Sequence, residues 1–314
     1  MELPENVKTL CEEIASQYNI KDLKSAAEAL SVDYRERERS GKTFIGSDIF
    51  AAAYFLARMP ATAGAISAAL SQTLKRYNSS IESVLDVGAG TGASAIASLS
   101  LDSIKEMHCV ERDEYMLSLG KKVTDSLNLN AIWSMSSAEN LKEKTYDLVI
   151  SSYMLNEIPK RNLSEVVEKL WQNTKGLLLI VDNGAVDGFK TVRAATEILK
   201  NLGGYVVAPC PSVESCPLAN DDWCHFTARI PRSKVHKTLK GGEVPYEDEK
   251  FSFIAVSRTP HTQCNARVLR HPKIASGRVG LKLCTKDGIA EKLVTKKDKE
   301  LFKTARKCSA GDEI

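Results

Sequence analysis

Long hydrophobic runs are missing from this 314-residue chain. None approaches the ~20 apolar residues that a membrane-spanning helix needs. An excess of one charge is missing too: 43 Lys/Arg against 40 Asp/Glu leave a formal net charge of +3, too small to announce a nucleic-acid binder. Aromatics make up only 6%, and there is no low-complexity block and no internal repeat. Collagen-like and disordered classes are excluded by this composition. The opening Met1-Glu2-Leu3-Pro4-Glu5 has neither a signal peptide's apolar stretch nor the Arg-rich, acid-poor look of a transit peptide. Cysteines number eight, a density of about 2.5%, well below that of a disulfide scaffold. An intracellular protein would keep them reduced. With 43% hydrophobic residues the chain can bury a substantial core, as two domains or as one large domain with attachments.

The near-neutral total hides an asymmetry. Residues 259–314 hold 13 Lys/Arg and 6 Asp/Glu, a balance of +7, which leaves −4 for residues 1–258. Between 225 and 242, Arg229, Arg232, Lys234, Lys237 and Lys240 occur with no acid. A basic end on an acidic body suits a polyanion-facing surface, although a solvated Lys-rich face reads the same way.

Residues 1–78 read as helices, with apolar residues recurring at helical spacing, as at Ile66, Leu70 and Leu74. Pro60 separates two of them or opens the second. The run Tyr34-Arg35-Glu36-Arg37-Glu38-Arg39 is of mixed charge and is expected to be exposed. From residue 81, short apolar runs alternate with helical stretches. Strands are expected at 84–87, 107–111, 131–134, 146–151, 177–181, 205–208 and 251–257, with helices between, which predicts a parallel sheet covered on both faces. The roughly forty residues between the last two strands show little periodicity, and a loop that long usually carries function. Beyond Arg258, two strand-like runs flank Asp287-Gly288, a hairpin signal, and a basic helix closes the chain.

Val84-Leu85-Asp86-Val87-Gly88-Ala89-Gly90-Thr91-Gly92 follows a strand and opens a helix. Glycines let backbone approach a ligand, and a helix N-terminus favours polar groups. The D-x-G-x-G-x-G spacing is not the G-x-G-x-x-G of nicotinamide and flavin sites, and no phosphate-loop Gly-Lys-Ser/Thr is present. An acid ahead of the glycines suits a ligand with an ammonium group, such as S-adenosylmethionine. Glu111 ends the second strand, where an acid accepts from ribose hydroxyls. Glu139 follows the third, where such folds contact adenine. Together these features resemble class I S-adenosylmethionine-dependent methyltransferases. Asp86, Gly88, Gly90, Gly92, Glu111 and Glu139 are the expected cofactor residues.

The substrate side is less marked. After the fourth strand stands Ser151-Ser152-Tyr153-Met154-Leu155-Asn156-Glu157-Ile158-Pro159, without the Asn/Asp-Pro-Pro-Tyr/Phe of amino-methylating enzymes. Pro209-Cys210 follows the sixth strand rather than the fourth, the wrong place for the thiolate of a cytosine-C5 enzyme. No catalytic base stands out. Asn156 and Glu157 are the catalytic candidates at the expected methyl-transfer mouth; Asn156 could equally cap the turn into the next helix.

Cys210, Cys216 and Cys224 form C-x₅-C-x₇-C, with Pro211 and Pro217 adjacent, His225 next to the third, and Cys284 on a distant strand. Thiolates select zinc or iron–sulfur clusters. The spacing is wider than a Cys-x₂-Cys zinc knuckle and leans towards a cluster, with His225 as a substitute ligand if the metal is zinc. Three buried reduced thiols are the plain alternative. Cys284 is preferred over Cys264 as fourth ligand because a strand holds a ligand more rigidly than a polar loop.

Four segments together resemble the methyltransferase-like assembly factors of the mitochondrial small ribosomal subunit and their bacterial relatives. They are Arg58-Met59-Pro60-Ala61-Thr62, the Val84–Gly92 turn, Ala208-Pro209-Cys210-Pro211 through Trp223-Cys224-His225-Phe226, and Pro245-Tyr246-Glu247-Asp248-Glu249-Lys250-Phe251-Ser252. The resemblance spans roughly residues 30–312. It implies a class I methyltransferase (Rossmann-like) α/β fold with a seven-stranded sheet, and a [4Fe–4S] site on Cys210, Cys216, Cys224 and Cys284. It also implies association with the small subunit and its ribosomal RNA during assembly, for which the basic C-terminal region is the expected contact. Mitochondrial members look more like scaffolds than enzymes. One departure is Asp182-Asn183-Gly184-Ala185, where the family tends to have Glu-Pro-Gly-Thr. The organisation expected is a helical region at 1–78, a cofactor-binding domain at 79–208 and 251–258, a Cys-rich metal-binding insertion at 209–250 and a basic region at 259–314. A monomer in a prokaryotic cytoplasm is expected, with the mitochondrial matrix as the alternative and no membrane partner.

Overall fold

A computed structural model describes residues 2–36, 46–211, 214–219 and 221–314. Five parallel strands, β1 (Ser83–Val87), β2 (Glu106–Glu111), β3 (Ala131–Met135), β4 (Tyr146–Ser152) and β5 (Thr174–Asn183), lie in the order β3-β2-β1-β4-β5. They form because their apolar residues alternate between two cores. Val84, Leu148, Ile150, Leu177 and Leu179 face one hydrophobic cluster; Leu85, Val149, Leu178 and Ile180 face the other. Strands buried on both faces read as continuous apolar runs, which is how they stand in the sequence.

Helices cover both faces. On the first lie α1 (Glu5–Ser16), α2 (Ile20–Glu36), α3 (Asp48–Ala57), α4 (Met59–Leu74), α5 (Ala93–Ala97) and α6 (Glu114–Ser126), and on the second α7 (Leu163–Gln172) and α8 (Val186–Asn201). Pro60 sits in the first turn of α4, where its missing N–H costs no helical bond. Leu23, Phe55, Met59 and Leu70 are buried in the same cluster as the sheet, so the N-terminal region is a layer of the main core. The charged run from Tyr34 to Arg39 lies outside the residues whose side chains are described. Among the described residues no single helix is long and apolar enough to cross a membrane; α3 and α4 pass only as a pair, bent by 48°.

Beyond α8 come β6 (Tyr205–Ala208), β7 (Phe226–Pro231), α9 (Lys234–Lys240) and β8 (Tyr246–Ser257). β8 returns between β5 and β6 and runs antiparallel to both, so the expectation of an all-parallel sheet fails there. β8 is antiparallel also to β7, the strand that leads into it from the insertion, so its direction is set on the insertion side of the sheet. The order β3-β2-β1-β4-β5-β8-β6, with that one antiparallel strand, is the class I methyltransferase arrangement. An eighth strand, β7, joins by pairing with the first half of β8. β8 begins at Tyr246, before the expected 251; its first half, Tyr246-Glu247-Asp248-Glu249-Lys250, is an unbroken polar run that carries no apolar strand signal. Residues 209–250 are therefore not one aperiodic loop.

The basic region folds. β9 (Ala266–Val268), β10 (Lys273–Ala275), β11 (Arg278–Thr285) and β12 (Gly288–Thr295) make a second, antiparallel sheet. It packs on α10 (Lys299–Lys307) around Val268, Val279, Leu281, Leu283, Val294 and Phe302. Thr285 pairs with Gly288, so the hairpin turns on Lys286-Asp287, one residue before the expected pair.

Candidate functional site

Glycine geometry builds the floor of the first site. Gly88 has φ +74°, and a Cβ there would lie 2.7 Å from Met154 Cγ. Only glycine lets the chain leaving β4 close over the turn. The N–H groups of Gly88 and Ala89 donate to the Val110 carbonyl at 2.9 and 3.0 Å, tying the turn to β2. An open pocket results, lined by Gly88, Gly90, Glu111, Glu139, Met154 and Glu157 among others. Four of the six expected cofactor residues thus meet. Gly92 instead packs towards Val123 of α6, and Asp86 is wholly buried.

Among the described residues neither Asp86 carboxylate oxygen has a hydrogen-bond partner. Burial pushes this carboxyl up to about 7; the nearby Ser94 hydroxyl opposes the shift and the Glu111 charge adds to it. A buried acceptor without a donor is costly and points to a missing cationic or donor group. Glu111 accepts from the N–H groups of Gly90 at 2.8 Å, Arg112 at 2.8 Å and Asp113 at 2.9 Å. Burial raises its carboxyl, and these N–H groups oppose that. A carboxylate offers about four acceptor positions, so one remains for a hydroxyl. Glu111, Gly88 and Gly90 line the pocket and would meet the ribose side of an S-adenosylmethionine, whereas Asp86 is buried outside that lining. The group would supply an electrophilic methyl.

The two catalytic candidates part at the mouth. Glu157 lines the pocket and pairs with Arg112 at 3.0 Å. Asn156 turns away. Its Nδ2 donates to Asp182 Oδ1 at 2.7 Å, and its Oδ1 accepts from the Thr191 hydroxyl at 2.5 Å. It does not cap α7, whose N-cap is Asn162. Asp182, at the end of β5, is wholly buried, and burial pushes its carboxyl up to about 7 against hydrogen bonds from Asn183 and Asn156.

Sequence reasoning missed a clasp at this mouth. Tyr153 leaves β4 with φ +55° and donates its hydroxyl to Glu249 Oε1 at 2.9 Å. Arg58 Nη2 approaches the same oxygen at 3.5 Å. Arg58 belongs to the Arg-Met-Pro-Ala-Thr segment and Glu249 to the Tyr-Glu-Asp-Glu-Lys segment. Their appearance together was the available signal.

The cysteines form a second site. Cys210, Cys216, Cys224 and Cys284 line one pocket together with Arg267. Burial pushes Cys224 up to about 12 and Cys284 up to about 11, and Cys210 further, with neighbouring thiols adding to each. Among the described residues no three His, Cys, Asp or Glu side chains form a ready metal-binding group. Four thiols nonetheless line one pocket, Cys284 buried and the other three half-buried, from residues 74 positions apart in sequence at the extremes, and such soft donors suit a thiophilic metal. His225 lies beside Trp223, ring centroids 6.1 Å apart, and is not among the pocket's lining residues. Cys264 is buried with its thiol donating to the Pro209 carbonyl at 3.5 Å. Cys11 and Cys109 are buried elsewhere in the core.

A family model described as mitochondrial small ribosomal subunit Rsm22 matches residues 49–314. The human mitochondrial ribosome assembly protein METTL17 is 27% identical over 290 residues, which is 82% of this chain and 61% of that protein. The chain thus spans less than two thirds of that relative's length. Among solved structures, magnesium protoporphyrin IX methyltransferase from Synechocystis, with bound SAM, is 12% identical with a TM-score of 0.41, covering 76% of this chain and 97% of its own. A SAM-dependent methyltransferase from Aquifex aeolicus is 15% identical with a TM-score of 0.40, covering 62% and 89%. These structural likenesses are partial, and the fold rests on the strand order itself. The match over residues 49–314, with the motifs already placed in the structure, puts the chain in the mitochondrial small ribosomal subunit Rsm22 family.

Proposed function

We propose that this chain is a methyltransferase-like assembly factor that binds the small ribosomal subunit and its ribosomal RNA. In this reading S-adenosylmethionine is held by Gly88, Gly90, Glu111 and Glu139, with Asp86 and Gly92 supporting the turn, and RNA phosphates by the basic C-terminal region. Lys273, Arg278, Lys292, Lys296, Lys297 and Lys299 are exposed on that region. Cys210, Cys216, Cys224 and Cys284 hold a [4Fe–4S] cluster, with zinc as the alternative metal. The cellular setting is the cytoplasm or the mitochondrial matrix, and the protein acts as a monomer. The observation that carries the reading is the meeting of Gly88, Gly90 and Glu111 on one pocket in a chain of the Rsm22 family. Calorimetry with S-adenosylmethionine tests the pocket; no heat at high micromolar ligand removes the cofactor claim. RNA affinity should fall steeply with salt, and a flat salt dependence removes the phosphate contacts.

A catalytically silent scaffold is the second reading. Asn156 favours it, because both its amide atoms are committed to Asp182 and Thr191 rather than turned to a substrate. Nucleoside analysis of small-subunit ribosomal RNA with and without the gene separates the two. A methyl group lost in the deletion supports the enzyme, and no loss supports the scaffold.

A further inference from the structure

Arg267 is a buried cation in surroundings that do not balance its charge. It is 2% exposed. Its Nε and Nη2 donate to the Pro209 carbonyl at 3.1 and 2.8 Å, and Nη1 donates to the Gly311 carbonyl at 2.8 Å and to Gln72 Oε1 at 2.6 Å. Its carboxylate partner, Glu313, stands 3.2 Å from Nη2. That carboxylate is already gripped on both oxygens by Arg76, at 2.8 and 2.7 Å. Two guanidiniums therefore share one carboxylate, and a positive charge is left over in a dry interior, where it is costly unless an anion offsets it.

The anion's place is next door. Arg267 is paired with Cys284 across β9 and β11 and lines the pocket of the four cysteines. The carbonyl it holds belongs to Pro209, the residue before Cys210. We propose that Arg267 is the counter-charge and positioning residue of the four-cysteine site, offsetting the negative charge of a metal centre ligated by four thiolates while fixing the backbone that presents Cys210. This rests on the metal reading given above. Four thiolates on a [4Fe–4S]²⁺ core carry a net charge of −2, and so do four on Zn²⁺. One electron taken from a chemical reductant brings the iron–sulfur centre to −3. A fixed cation favours that more negative form and raises the potential.

The test uses the whole chain purified without oxygen, as wild type, Arg267→Lys, Arg267→Gln and Glu313→Gln. Iron, sulfide and zinc are counted, the potential is titrated with dithionite, and metal release to a chelator is timed. Arg267→Lys should keep its metal with a potential near the wild type. Arg267→Gln should shift the potential downward and weaken metal retention by roughly 10–100-fold. An unchanged potential and retention in folded Arg267→Gln overturns the proposal. Where Arg267→Gln does not fold, Glu313→Gln decides. It removes the competing carboxylate, so the potential should move upward, and no upward shift overturns the proposal. With zinc in the wild type, the same ordering is read from chelator release alone. A wild-type chain that holds neither metal overturns the four-cysteine reading itself, a result distinct from a metal-loaded protein indifferent to Arg267.

Discussion

Trp223 Nε1 donates to the Gly184 carbonyl at 3.2 Å, fastening the cysteine-rich segment to the loop that leaves β5. Gly184 in turn donates its N–H to the Lys250 carbonyl at 2.9 Å, so close to β8 that a Cβ would lie 2.7 Å from its backbone. Three segments thus join between the two candidate sites. Asp182, which orients Asn156 at the mouth of the cofactor pocket, lies two residues before Gly184. Trp223→Phe deletes the donor together with the pyrrole half of the indole. It should lower stability by at least about 1 kcal/mol, the net worth of one such bond, in urea denaturation, with lost packing adding to it. Wild-type stability in the variant would show that this bond contributes nothing.

The turn after β1 gives a sharper expectation. Gly88→Ala places a methyl 2.7 Å from Met154 Cγ on a backbone at φ +74°. The left-handed conformation alone costs a non-glycine residue about 1–2 kcal/mol. The variant should lose that much stability and bind S-adenosylmethionine more than tenfold more weakly by calorimetry. Met154→Ala should restore part of the binding, since it removes the clashing side chain. Undiminished affinity in Gly88→Ala would separate the turn from the cofactor.

Most of the sheet was legible in the sequence because strands buried on both faces announce themselves as apolar runs. Tyr246 to Lys250 was not, since this half of β8 satisfies its charges in pairs: Asp248 with Arg229 at 2.7 Å, and Glu247 with Lys240. Such pairing leaves no hydrophobic signal. Residues singled out as ligands do come together in space, since Gly88, Gly90 and Glu111 line one pocket and the four cysteines another. What escaped were residues whose work depends on a distant partner. Asn156 reads as a mouth residue until Thr191 takes its oxygen, and Arg267 reads as one more basic residue until Glu313 and Pro209 surround it.

Stability should depend on pH through two buried carboxyls. Asp86 and Asp182 are both pushed up to about 7 by burial, against roughly 4 in an unfolded chain. The folded state therefore holds protons that the unfolded state has released. Their contribution is fully present below about pH 4 and is lost as pH rises through about 7. The wild type should be less stable at pH 8 than at pH 5, by an amount on the order of a few kcal/mol. Asp86→Asn should narrow that difference, read by urea denaturation at the two pH values. A ligand bearing an ammonium group should bind more tightly above pH 7, where the carboxylate is ionised. An unchanged pH dependence in Asp86→Asn would show that its carboxyl titrates normally.

The Tyr153–Glu249–Arg58 clasp should behave as a coupled unit. Glu249 is nearly buried, its side chain 10% exposed, while Arg58 is 32% exposed and its 3.5 Å approach is long for a charged pair. The shorter Tyr153 bond, 2.9 Å to the same oxygen, should therefore dominate. Hydrogen bonds to charged groups contribute about 1.5–3 kcal/mol, and exposed ion pairs less than about 1 kcal/mol. Tyr153→Phe should cost more stability than Arg58→Met, because it leaves a buried carboxylate short of its best donor. Glu249→Gln should cost the least, since an amide oxygen still accepts from the Tyr153 hydroxyl. A double-mutant cycle between Tyr153→Phe and Glu249→Ala, each of which removes the bond, should give a coupling energy of about 0.5–3 kcal/mol, the range found for residues in one hydrogen-bonded network. Strict additivity would mean that the two residues are neighbours without acting on each other, and that the Arg58 and Glu249 segments meet at the mouth for packing alone.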